Sequence, residues 1–417
     1  MTKIKDTLKN IKTSSTLAIN ELSLKLQEDG KTIYKFGLGQ SPFPIPDIIV
    51  KELQYHAHQK NYLDVSGLLE LREVVAKYHS KKNKYSYTAD NIIIGPGSKE
   101  LIFQTQLIMD GDLLLPSPSW VSYEPQANII NKKIHWLNTT AKTNWHLSPQ
   151  TLDELCKKLQ IETKLLILNS PNNPSGTIHG DLKTLAKVSK KHDIIIIADE
   201  IYAELDFTGE YKSLTHYYPE GTIISSGLSK WCGAGGWRLG TFIFPNELDH
   251  IRQTLRSVVS ETFTAVSAPI QYAAIKAYTE DYSNYLDHSR KILNCIATYV
   301  YNELTESGLD CQKPQGGFYM LCDFSNVITI SNEISNSTLL TKKILKDTGF
   351  AMLPGSDFGI NENHLITRIA FVDFDGKQAL DLANNLSHLS EEFLKKACPN
   401  IVNGINDLKD WVSKNSP

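Results

Sequence analysis

The sequence predicts an α/β protein with a mainly parallel sheet in its larger part and a smaller α+β domain beside it. Three observations carry that prediction. Short apolar runs at 92–94, 112–115, 133–137, 165–169, 194–198, 222–225 and 241–244 alternate with longer amphipathic stretches, which is the pattern of βα units. The 417 residues leave room for two or three domains and exclude a small stapled or metal-built module. Beyond a long helical stretch the chain returns to strand-like runs, as expected of a second core.

Composition narrows the function classes. Lys plus Arg (43) against Asp plus Glu (46) leaves a net charge of −3, so there is no broad basic face for nucleic acid or a membrane surface. The six cysteines (Cys156, Cys232, Cys295, Cys311, Cys322, Cys398) contain no C-x-x-C pair, hence neither a zinc ribbon nor a dithiol centre; no metal site is expected. No run approaches the roughly 20 apolar residues that span a bilayer. The polar first ten residues lack an apolar signal core, which argues against secretion and for a cytoplasmic protein with reduced thiols.

In chain order, 15–28 shows helical spacing with Gly30 as its stop, and 37–46, rich in Gly and Pro, reads as a loop from an N-terminal arm to the body. The seven strand candidates follow. Residues 247–304 are helical in pattern with a break near Ala268-Pro269; strands at 318–323 and 364–372 then flank a helix candidate at 336–348. The tail, 391–417, has helical spacing broken by Pro399 and carries no assigned chemistry. The domains expected are 1–45 (arm and part of the small domain), 46–300 (large domain) and 301–417 (small domain).

Polar signals sit where strands of such a sheet would end, and ligands of open α/β sheets bind at the carboxyl ends of strands. The run 92–94 enters Gly95-Pro-Gly-Ser-Lys-Glu100 and then a helix, whose free N–H groups suit a phosphate; an ordinary tight turn explains the glycines equally. The run 165–169 exits into Ser170-Pro-Asn-Asn-Pro-Ser-Gly176. The run 194–198 exits into Asp199-Glu-Ile-Tyr202. A carboxylate ending an apolar strand needs a cation or strong donor: a protonated ring nitrogen of a cofactor would serve, as would a structural ion pair or a helix cap. Tyr202, three residues on, could face the same site. The run 222–225 exits into Ser226-Gly227-Leu-Ser229-Lys230-Trp-Cys-Gly-Ala-Gly-Gly-Trp-Arg238-Leu-Gly240. A lysine in that setting is partly desolvated, which favours the nucleophilic amine and marks it as a Schiff-base candidate. Arg238 offers a planar fork for phosphate or, more simply, a surface ion pair.

Taken together, Asn173-Pro-Ser-Gly176, Asp199-x-x-Tyr202 and Ser229-Lys230 with Gly236-Trp-Arg238-x-Gly240 resemble the hallmark segments of class I/II pyridoxal-phosphate (PLP) dependent aminotransferases, specifically the bacterial aspartate-aminotransferase-like branch. The resemblance runs from about residue 15 to 390. It implies the PLP-transferase fold type I, whose large domain holds a mainly parallel seven-stranded sheet, and pyridoxal 5'-phosphate as cofactor. By the same resemblance Lys230 carries the cofactor as a Schiff base and shuttles the Cα proton, and Asp199 pairs with the ring nitrogen. Asn173 and Tyr202 bond the ring's phenolic oxygen. Gly97, Ser98, Lys99, Ser229 and Arg238 hold the phosphate, and Trp120 stacks on the ring. Tyr62, in Asn61-Tyr-Leu63, reaches the phosphate of the neighbouring subunit, which implies a homodimer with shared sites; a tyrosine packing on its own subunit is the plainer alternative. Arg368, in Ile366-Thr-Arg-Ile-Ala-Phe371, clamps the substrate carboxylate with Gly39 beside it. One departure stands out: Gly227 replaces the Ser or Thr many members carry three residues before the lysine, leaving Ser225, Ser226 or Ser229 to supply that phosphate bond.

The expected activity is transfer of an amino group between an L-amino acid and a 2-oxo acid, with glutamate and 2-oxoglutarate as one pair. Another PLP reaction (C–S lysis, decarboxylation, acyl transfer) and a non-catalytic regulatory protein compete with it. An intact Lys230 argues against the last, and Arg368 against decarboxylation. Lys99 either reaches an acidic substrate side chain or points to solvent. The Ser260-Glu-Thr-Phe-Thr264 segment offers hydroxyls, an acid and an aromatic in place of a second arginine, so the other amino acid is open between aspartate and aromatic or neutral types.

Overall fold

A computed structural model describes all residues except 1, 2, 6, 7, 10, 12, 84, 160, 332, 385, 387 and 417; the expectation for residues 1–10 therefore lies partly outside the described residues. In chain order its strands are β1 (Tyr34–Lys35), β2 (Ile92–Gly95), β3 (Asp112–Ser117), β4 (Ile134–Asn138), β5 (Lys164–Asn169), β6 (Ile194–Asp199), β7 (Thr222–Gly227), β8 (Gly240–Ile243), β9 (Asp310–Cys311), β10 (Tyr319–Asp323), β11 (Phe350–Ala351), β12 (Leu353–Pro354) and β13 (Ile366–Ala370).

The main sheet has seven strands in the order β2-β8-β7-β6-β5-β3-β4. Only β8 runs against its neighbours, β2 and β7. The isoleucine- and leucine-rich runs make these strands because a parallel sheet covered on both faces has no solvent side, so both residue parities must be apolar. Leu113, Leu115, Leu165, Ile167 and Ile197 enter one core, while Leu114, Leu166, Ile194 and Ile196 enter another on the opposite face. The chain order reverses between β5 and its outer neighbours, so polar side chains leaving the carboxyl ends of β5, β6 and β7 converge on one crevice.

A second sheet, antiparallel β12-β13-β10-β9, stands apart from the first, and β1 pairs with β11, tying the N-terminal arm to the C-terminal part of the chain. Phe36 stacks on Phe350 at 4.2 Å across that junction. Helix Ser337–Thr348, capped by the Asn336 side chain, falls where the sequence places it.

The stretch 247–304 is helical and interrupted just before Ala268, as expected, with Pro269 in the first turn of the helix that follows, where its missing N–H is not needed; a further break at 280–282, which the pattern did not show, makes three helices, Asp249–Ser260, Ala268–Thr279 and Ser283–Glu306. The expected boundary at 300 thus falls inside a helix. The tail folds as Glu391–Ala397 and Pro399–Asn415, burying Ile401, Ile405, Leu408 and Trp411; Trp411 Nε1 donates to Asp347 and Tyr34 to Asp407. Among the described residues no helix is long and apolar enough to cross a membrane, no cluster of metal-ligating side chains forms, and all six cysteines are free.

Candidate active site

The crevice is floored by the ends of β5, β6 and β7 and roofed by β10, β13 and the arm residues 37–39. Asp199 is the last residue of β6, in register with Asn169 of β5 and Ser225 of β7, and is only 3% exposed. Tyr123 donates to its Oδ2 at 2.5 Å, while Ser225 and the Ile201 N–H lie at 3.4 Å from Oδ1. Burial pushes the carboxyl up to about 6, against those donors and the Lys230 charge, which pull it down.

Lys230 Nζ donates to the Gly39 carbonyl at 2.8 Å and lies 5.6 Å from the Tyr202 ring and 5.7 Å from that of Phe318. Burial first, then the charge of Arg368, lowers its ammonium to about 8, whereas Asp199 raises it. An amine so poised is a nucleophile near neutral pH. Tyr202 follows β6 in an irregular turn instead of a helix, yet its buried hydroxyl still enters the crevice, 3.5 Å from Asn173 Nδ2 and 2.8 Å from the Tyr319 hydroxyl. Asn173 is itself held by Asn169 Oδ1, which accepts its N–H at 2.7 Å.

Arg368 is wholly buried in the middle of β13. Its Nη1 donates to Asn173 Oδ1 at 3.3 Å, its Nη2 donates to the Gly37 carbonyl, and its Nε has no partner. The guanidinium carbon lies 4.7 Å from the centre of the Tyr319 ring and 5.0 Å from that of Phe358. A buried cation with neutral partners and an orphaned N–H is costly, and it fits a carboxylate.

At the other end, helix Ser98–Ile108 starts after Gly97 with φ +91° and no side-chain cap, so its first N–H groups stay available to an anion. Arg238, itself left-handed at φ 55°, donates to the Pro96 and Gly235 carbonyls and packs so near Gly97 that any Cβ there would overlap its guanidinium. Lys99 Nζ sits 5.1 Å from the Trp120 ring, and burial together with Arg238 lowers its pKa. Trp120 meets Tyr123 edge-on at 5.3 Å. Uncapped helix end, fixed arginine, poised lysine, buried carboxylate and waiting guanidinium together fit a phosphorylated, ring-nitrogen cofactor beside a carboxylate-bearing substrate.

The three serines offered in place of a residue at 227 separate. Ser225 faces Asp199, and Ser226 lines a different cavity of about 220 Å³ with Glu200 and Tyr211, leaving Ser229. Gly227 is required locally, for a Cβ there would lie 2.6 Å from the Leu239 carbonyl oxygen. Tyr62 stands 92% exposed, so the packing alternative does not hold in this chain. Sequence reasoning missed Tyr123, Tyr319 and Phe358. Tyr123 was readable as the aromatic one turn beyond Trp120; the other two sit on elements distant in sequence, and nothing local marks them.

The family model "Aminotransferase class I and II" matches residues 31–378. The chain is 28% identical over 399 residues to the aspartate aminotransferase of Bacillus subtilis, covering 92% of this chain and 96% of the relative. It is 29% identical over 358 residues to the aspartate/prephenate aminotransferase of Thermus thermophilus, covering 84% and 89%. The solved aspartate aminotransferase of Thermus thermophilus with maleate superposes with a TM-score of 0.83 at 26% identity, over 98% of this chain and 100% of that one.

Proposed function

The chain belongs to the class I and II aminotransferases, PLP-dependent enzymes of fold type I, and we propose that it exchanges the amino group of glutamate for the oxo group of a second 2-oxo acid at the crevice just described. The observation that carries this reading is Arg368: a fully buried guanidinium whose hydrogen bonds go to the neutral Asn173 and Gly37, facing a lysine whose amine is poised near neutral pH. Pyridoxal 5'-phosphate supplies an electron sink for charge developing at the substrate's Cα.

The chain's own groups do the rest. Lys230 holds the cofactor and, once free, takes and returns the Cα proton, a task suited to an amine with a pKa near 8. Asp199 keeps the ring nitrogen protonated. Tyr123, by donating to one carboxylate oxygen of Asp199, fixes the orientation of that group. Tyr202 and Asn173 donate to the phenolic oxygen. The N–H groups from Gly97, Ser98 and Lys99, with Ser229 and Arg238, hold the phosphate, while Trp120 covers the ring. Arg368 and the arm at Gly39 orient the carboxylate, which keeps it from leaving and leaves the Cα–H as the bond that breaks.

A homodimer is part of this reading, supported by Tyr62, whose exposed ring has no role within its own chain. So are a three-part division into arm, large and small parts, with helix Ser283–Glu306 running across the boundary at 300, and a reducing, cytoplasmic setting, which the six free cysteines support. The acidic substrate is supported by Lys99, a partly desolvated cation beside Trp120, and by the names of the relatives above. Phe263 packs in the same cluster as Trp120, which keeps aromatic and neutral partners open for the second amino acid. A panel of amino acids assayed with 2-oxoglutarate, on wild type and Lys99→Ala, tests it. Acidic substrates lose kcat/KM selectively in the variant; an unchanged value would remove Lys99 from recognition.

A further inference from the structure

Tyr319 opens β10, in the small sheet, and is given no task in the proposed reaction, yet its side chain is where the parts of the site meet. It is 2% exposed. Its hydroxyl lies 2.8 Å from that of Tyr202, which belongs to the large sheet, and 3.4 Å from the Gly39 carbonyl in the arm. Its ring lies 4.7 Å from the Arg368 guanidinium carbon and edge-on to Tyr202 at 5.5 Å. Gly39 is a glycine for this reason: a Cβ there would overlap the Tyr319 hydroxyl.

We propose that Tyr319 is a positioning residue with two separable functions, its ring fixing the plane of the Arg368 guanidinium and its hydroxyl orienting that of Tyr202. The inference rests on the transaminase reading given above. The ring's function follows from geometry. The Arg368 guanidinium carbon lies within cation–π reach of two rings, Tyr319 at 4.7 Å and Phe358 at 5.0 Å, and these contacts together with the bonds to Asn173 and the Gly37 carbonyl restrict the orientation in which the guanidinium meets a carboxylate.

The hydroxyl's function follows from counting hydrogens. Tyr202 has one proton to give. When it donates that proton to an acceptor in the crevice, its oxygen is free to accept, and the Tyr319 hydroxyl at 2.8 Å is better placed to donate than Asn173 Nδ2 at 3.5 Å; the one proton of Tyr319 has the Gly39 carbonyl as its other acceptor, at the longer distance of 3.4 Å. A phenol that accepts while it donates is the stronger donor. Tyr319 therefore strengthens the bond from Tyr202 to the cofactor's phenolic oxygen, which stabilises the deprotonated form of that oxygen.

The two functions are tested on the holoenzyme by two equilibrium measurements, neither of them a rate. The first is the pH midpoint of the bound cofactor's visible spectrum; the second is the dissociation constant of maleate, a non-reacting dicarboxylate, by calorimetry. Tyr319→Phe keeps the ring and loses the hydroxyl: the midpoint rises by about half a unit or more, and the maleate constant stays within about twofold. Tyr319→Leu loses both, so the midpoint rises and maleate binds about tenfold more weakly. An unmoved midpoint in the Phe variant overturns the hydroxyl's part, and a maleate constant lost equally in the Phe variant overturns the ring's. The Phe variant decides by itself if the Leu variant does not fold. A wild type that binds no cofactor through Lys230 would instead overturn the underlying reading.

Discussion

At the residue scale, the site depends on two ionisable groups displaced in opposite senses by the same burial. Asp199 is raised to about 6 and Lys230 lowered to about 8, so between those values both carry the charge that burial disfavours. The sign of the consequence differs for each. A depressed lysine contributes stability that is complete above its unfolded pKa of about 10.5 and is lost as pH falls through about 8. The cofactor-free Lys230→Met protein is therefore more stable than wild type at pH 7, and the gain fades as pH is raised toward 10.5; thermal unfolding at a series of pH values reads this directly. Asp199→Asn removes the partner of a protonated ring nitrogen but keeps the shape, so the rate falls by about 10²-fold or more while cofactor occupancy falls far less. Parallel kinetic and equilibrium-dialysis measurements separate the two. Asp199 and Lys230 were legible in the sequence as candidates because one ends a strand and the other lies three residues beyond one, each within a chemically odd segment. The roles of Tyr123 and Tyr319 were not, because a buried tyrosine declares its partner only once distant strands are brought into register.

At the scale of elements, strands of the main sheet were legible almost to the residue, since fully buried isoleucine and leucine runs admit few alternatives. Helices Asp47–His56 and Leu69–Lys82 were not identified: their apolar positions are sparse, and they are held by packing against Ala268–Thr279. The strand-to-lysine turn shows how an element dictates chemistry. Gly227→Ser restores the hydroxyl that many relatives of the family carry, but its Cβ meets the Leu239 carbonyl at 2.6 Å. It is expected to cost about 1–3 kcal/mol in urea unfolding without tightening cofactor binding. A tighter-binding, equally stable variant would show that the turn has room to give. The tail acts likewise as a structural element. Trp411 is buried and hydrogen-bonded to Asp347, so Trp411→Ala is expected to lose about 3–5 kcal/mol, detected as a lowered urea midpoint.

At the scale of the whole molecule, the crevice draws on the large sheet, the small sheet and the arm, which is why Lys230 can be held by a carbonyl nearly two hundred positions away. If Tyr62 completes the partner's phosphate site, mixing Lys230→Ala with Tyr62→Phe subunits yields heterodimers with one intact site, and activity rises above the mean of the two parents; strictly average activity would mean unshared sites. The central claim is that this crevice transfers an amino group through Lys230. It is tested most directly by a single turnover with stoichiometric glutamate and no second substrate. The account predicts one 2-oxoglutarate released per site, an equal amount of aminated cofactor, reversal on adding a 2-oxo acid, and none of these in Lys230→Ala. Release of carbon dioxide or free ammonia in place of the oxo acid, or undiminished transfer in Lys230→Ala, would contradict it.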